Sequence, residues 1–120
     1  MDNQFNELPW HDAEILCVTV DRRNPGEEDQ VVIDVRWPDG GQNRIIFADC
    51  YGLTASMNFG IMTSESILEA FFVVQSEELE QIREKWRRLG VDLGLLRCFE
   101  IRTNSTSSNL RIYALRYSLQ

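Results

Sequence analysis

The stretch from Ser76 to Gly90, SEELEQIREKWRRLG, constrains the chain most, because its apolar residues alone recur at clear helical spacing. Leu79, Ile82, Trp86 and Leu89 lie three or four positions apart and form one stripe. Ser76 stands where a hydroxyl can accept from an orphan N–H of the first turn. Glu77, Glu78 and Glu80 fall at the positive end of the helix dipole, and Arg83, Lys85, Arg87 and Arg88 toward the negative end. Gly90 follows where a left-handed residue ends a helix with least strain. Glu84 and Arg88 form an acid-first i,i+4 pair, worth about 0.2–0.5 kcal/mol. Balanced by its own glutamates, the basic side of this helix reads as a solvated face rather than a site for an anionic partner.

The other regular segments read as strands. Ala13–Asp21 is rich in β-branched residues and apolar on both faces, which suits a strand inside a sheet. Arg22–Asp29, with Asn24-Pro25-Gly26, is a turn. In Gln30–Trp37, Val31, Ile33, Val35 and Trp37 alternate with polar residues. Pro38-Asp39-Gly40-Gly41 is a second turn, and Asn43–Ala48 a third strand. Asp49–Ser64 fits neither period; a loop this long inside a compact domain is either functional or hides a short strand. A strand at 66–74 runs into the helix. Leu95–Thr103 and Asn109–Leu119 form a hairpin in one of two registers: Phe99 and Ile101 share a face either with Tyr113, Leu115 and Tyr117 or with Leu110, Ile112 and Ala114.

These elements predict a single α+β domain over residues 1–120. It is an antiparallel sheet of five or six strands with one long helix, at about 76–89, packed on one face and the other face partly open. Core candidates are Leu16, Val18, Ile33, Val35, Ile45, Phe47, Phe72, Leu79, Ile82, Trp86, Phe99, Ile112 and Leu115.

Charge narrows the partners. The chain carries 19 acidic and 12 basic side chains, net −7. Residues 1–60 hold eleven acids and four arginines, so the whole excess lies there. Nucleic acid and anionic lipid both reward clustered Lys and Arg, so neither is expected as a partner. A protein with a basic surface is the better match. No apolar run approaches the roughly 20 residues of a membrane span, and the first ten residues lack a secretory pattern. Cys17, Cys50 and Cys98 show no CxxC spacing, which suits a reducing cytoplasm. No metal or cofactor is expected.

His11-Asp12 is the sharpest chemical pair, because His11 is the one histidine. Neighbours on an extended chain point apart, so catalysis would require a third group and a nucleophile from elsewhere. No nucleophile elbow is present, and no catalytic residue is assigned. With Trp10 before them, a structural role at a strand start is the simpler reading. Glu27, Glu28 and Asp29 lack calcium-loop spacing and read as a solvated turn. Asn104-Ser105-Thr106 matches a glycosylation acceptor without meaning in a cytoplasmic chain. Tyr51, Phe59, Phe99, Tyr113 and Tyr117 supply either core or a partner surface. The candidate binding residues are therefore Trp10, His11, Asp12, Tyr51 and Asn58.

Three phrases, Leu8-Pro9-Trp10-His11-Asp12-Ala13-Glu14, Phe47-x-x-Cys50-x-Gly52-Leu53, and Phe99-Glu100-Ile101 leading to Thr103-Asn104-Ser105-Thr106, resemble a group of small bacterial proteins without assigned function. Some similar small, acidic, β-rich proteins are immunity proteins against toxins of competing bacteria. The resemblance implies a non-enzymatic, protein-binding module and transfers no catalytic residue. Two alternatives stand beside it. One is a ligand binder or small enzyme with a site near His11, Asp12 and the 49–64 loop. The other is a homodimer joined through the open sheet face.

Overall fold

β-Branched and aromatic residues in period-two runs produce six strands in the computed structural model, which describes residues 3–120. The elements are α1 (Asn3–Glu7), β1 (Glu14–Asp21), β2 (Gln30–Arg36), β3 (Gln42–Ser56), β4 (Glu65–Val73), α2 (Glu77–Arg87), β5 (Arg97–Thr103) and β6 (Asn109–Leu119). The strands close into an antiparallel barrel in the order β1-β2-β3-β6-β5-β4.

This corrects the expected α+β architecture. The sheet is not an open layer under a long helix; it closes on itself, and helix makes up only 13% of the chain, in two short pieces. The cause lies in β3, which runs for 15 residues through much of the segment that reads as a loop. Residues 42–47 of β3 pair with β2 and residues 45–56 with β6, so the two neighbours are strongly staggered along it and the sheet curls. Register shifts at Ile15/Cys17, Cys50/Gly52 and Ile67/Glu69 bend the strands further. A curled sheet buries its inner face against itself and requires no covering helix.

The inner face supplies Ile33, Val35, Ile45, Phe47, Ile67, Phe99, Ile101, Leu110 and Ile112, all fully or almost fully buried. The hairpin takes the second of its two registers, pairing Phe99 with Ile112 and Ile101 with Leu110. Leu16, expected in the core, is exposed, because the irregularity after Ile15 turns it outward.

The polar first residues hide a plug. α1 brings Phe5 to full burial, with ring centroids 4.9 Å from Trp10, 5.0 Å from Phe99 and 5.2 Å from Tyr117. Asn6 Oδ1 accepts from Phe72 N at 3.1 Å and ties α1 to β4.

α2 has 11 residues and lies outside the barrel. Ser76 Oγ accepts from Leu79 N at 3.2 Å and caps its start. Leu79 joins Leu93, Leu96, Cys98 and Tyr113 in a small satellite core, with Ile82 and Trp86 against it. Arg83 departs from the solvated role expected of it: it is 7% exposed and donates to the carbonyls of Val74, Leu93 and Leu96. It also donates to Gln75 Oε1 and to Glu80 Oε1, so one guanidinium fastens both connectors of α2.

Candidate interaction surface

Pro9 and Trp10 set the corner that opens β1. Trp10 is buried, its indole N–H donating to Phe5 O at 2.6 Å and its ring 5.2 Å from that of Trp37. Asp12 adopts a left-handed φ of 68°, and its N–H donates to Ile67 O at 3.0 Å. His11 Nδ1 lies 3.1 Å from Leu68 O, a distance at which a protonated Nδ1 donates to that carbonyl. His11 Nε2 is 3.8 Å from Asp12 Oδ2, with both side chains about two-thirds exposed (68% and 67%). No nucleophilic hydroxyl or thiol is bonded to either, among the described residues. The corner joins the start of β1 to β4.

Tyr51 sits at the irregular stretch of β3, where Gly52 is half-buried against the Tyr113 ring. A Cβ at Gly52 would stand 3.2 Å from Tyr113 Cδ2, which explains the glycine. The Tyr51 ring meets Trp86 edge-on at 5.0 Å and forms one wall of a cleft of about 620 Å³. Val20, Val31, Cys50 and Leu53 line the cleft from the barrel side, and Arg22, Glu27, Asp29 and Asp49 from its rim. Cys50 is no nucleophile as it stands: burial pushes its thiol up to about 11, and Sγ–H donates to Phe47 O at 3.2 Å. Two of the three consecutive acids are satisfied within their own turn. Asp29 accepts from Arg22 Nε at 2.7 Å and from Gly26 N at 3.0 Å, and Glu28 accepts from Asn24 Nδ2 at 3.2 Å. The Arg22 hydrogen bond, then that of Gly26, holds the Asp29 carboxyl below its ordinary range. Among the described residues, no three His, Cys, Asp or Glu side chains converge as metal ligands would.

Asn58 is neither in this cleft nor beside His11. Its Nδ2 donates to Thr106 O at 2.7 Å, and its N–H to Ser108 Oγ at 3.3 Å. From the far side of the same loop, Ser105 Oγ donates to Ser64 O at 2.8 Å and accepts from Ser66 N at 2.9 Å. Thr106 Oγ1 bonds the Glu65 carboxylate. Thr106 and Ser108 are themselves buried, with their hydroxyls 2.9 Å apart. The polar 104–108 turn is thus a clamp on both ends of the loop between β3 and β4.

That clamped loop displays Phe59, Ile61 and Met62, which are 83%, 50% and 102% exposed. Gly60, at φ 88°, makes the bend between them. Three large apolar side chains close together in sequence thus stand in water on an anchored loop. The sequence signal was present as apolar residues between glycine bends with no period. Nothing in it distinguished an exposed tip from a buried irregular segment.

The five candidate residues therefore do not form one site. Trp10 is core, His11 and Asp12 close a corner, Tyr51 walls a cleft, and Asn58 anchors the apolar loop. No family model matches the chain, and no curated protein matches it. No described helix is long and apolar enough to cross a membrane.

Proposed function

We propose that this protein is a non-enzymatic protein-binding module, immunity-like in kind, whose contact centre is the apolar tip Phe59–Met62. The supporting observation is the combination of near-complete exposure of Phe59 and Met62 with the hydrogen-bonded clamp beneath them. Aromatic and methionine side chains are the usual energetic anchors of protein interfaces. A loop already fixed in place loses less entropy on association than a mobile one. The net charge of −7 favours a partner with a basic surface and speeds its approach. His11 and Asp12 are engaged with the Leu68 and Ile67 carbonyls, which supports a structural role for this corner.

The test is capture from an extract of the native host by immobilised protein, with wild type beside the triple variant F59S/I61S/M62S. Wild type is expected to retain one partner stoichiometrically and the variant to lose it, while both melt at the same temperature. Equal retention by both proteins would reject the tip as the contact centre.

A further inference from the structure

β3 offers a second recognition element, which rests on the protein-binding reading above and specifies the partner. Its pairing with β2 ends at Val31↔Phe47, while its pairing with β6 continues to Ser56↔Asn109. One more backbone bond, from Cys50 N to Asp29 O at 3.1 Å, ends the contact on the β2 side. Beyond it, residues 51–56 have a strand neighbour on one side only. β2 cannot extend along them, because the chain preceding Gln30 leaves as the 22–29 turn, locked by the Arg22–Asp29 and Gly26–Asp29 bonds. The cleft of about 620 Å³ is lined by Tyr51, Gly52 and Leu53 at the start of this stretch.

We infer that this edge receives an extended, basic segment of the partner protein as an added strand beside residues 51–56. Three features support that occupant. An open strand edge presents main-chain donors and acceptors that any extended peptide can match. The walls suit alternating side chains: Val20, Val31 and Leu53 on the barrel side, Tyr51 and Trp86 on the other. The rim carries Glu27, Asp29 and Asp49; Asp29 is paired with Arg22 and Asp49 with Arg116, which leaves an excess of one carboxylate, that of Glu27, for lysine or arginine on the added strand to meet. β3 leads directly into the 57–64 loop, so the open edge and the apolar tip follow one another in the chain.

The probe is the hexapeptide Ac-Val-Lys-Val-Lys-Val-Lys-NH2, titrated into isotopically labelled full-length protein and followed by amide chemical shifts and hydrogen exchange. Shifts concentrated at residues 50–56, with new exchange protection there, are expected. The glutamate counterpart of the peptide is expected not to bind. A backbone N-methylated version, which keeps its charge but cannot pair, is also expected to fail. Glu27→Lys, on an exposed turn, is expected to weaken binding about threefold without changing the melting temperature. Equal binding of the paired and N-methylated peptides, or shifts confined to other surfaces, would overturn the inference. So would a concentration-dependent dimer in which residues 50–56 are covered by a second copy. Loss of peptide binding alongside a tip-dependent partner in the capture experiment rejects the strand-addition inference alone. Failure of capture with intact peptide binding rejects the tip instead.

Discussion

Arg83 is the residue whose role is least like its appearance in the sequence. A long cation on the wet half of an amphipathic helix is ordinarily solvated, yet this one bonds three main-chain carbonyls in a nearly closed site. Arg83→Met keeps the stem and strands those carbonyls, at a cost of about 3 kcal/mol in chemical denaturation. Arg83→Lys is expected to recover little, since an ammonium cannot reproduce the guanidinium fork; full recovery would mean that charge alone matters. The buried thiols give a second test. Burial, with the Glu100 charge after it, pushes Cys98 up to about 11, and burial does the same for Cys50, from an ordinary 9.0. Both thiols are thus held protonated in the fold but ionise more easily when unfolded. Their contribution is complete below about 9 and falls away as pH rises toward 11. The melting temperature is expected to decline across that window, and less steeply in the Cys50→Ala/Cys98→Ala protein. An identical decline in the variant would place its origin elsewhere.

At the scale of elements, α1 shows how a short helix can escape notice and still matter. Its five residues carry one aromatic, too few for any periodicity, and Phe5 declares itself only through the rings it meets. Phe5→Ala is expected to cost about 3–5 kcal/mol, measured by urea unfolding. A change below about 1 kcal/mol would make the plug dispensable. α2 was legible because capping, charge order and spacing all agreed, and its Ser76 cap and the left-handed Gly90 stand where the sequence put them. β2 was legible because one face is buried and the other wet, the condition under which alternation is clean. β3 was not: past Phe47 its residues meet β6, the cleft and α2 in turn, so no single period describes them. The irregular stretch at Cys50/Gly52 breaks even the local alternation.

For the whole molecule, the step from open sheet to closed barrel was hidden because closure depends on strand length and stagger, not on composition. β1 and β4 meet through only two residue pairs, Glu14↔Ser66 and Ile15↔Glu65, and no local pattern announces a seam so short. The candidate surface was hidden for a related reason. Asn58 lies far in sequence from Ser105 and Thr106, and all three look like ordinary loop polarity until the barrel brings their loops together. The barrel and the 104–108 turn together hold an apolar tip out in water, and that arrangement underlies the functional reading. The most direct test is backbone ¹⁵N relaxation across residues 57–64 in wild type and in Asn58→Ala/Ser105→Ala. Order parameters near 0.85 at Phe59, Ile61 and Met62 are expected in wild type, with a fall below about 0.6 in the variant. Values below about 0.6 in wild type, or no difference between the two proteins, would contradict a rigidly presented tip.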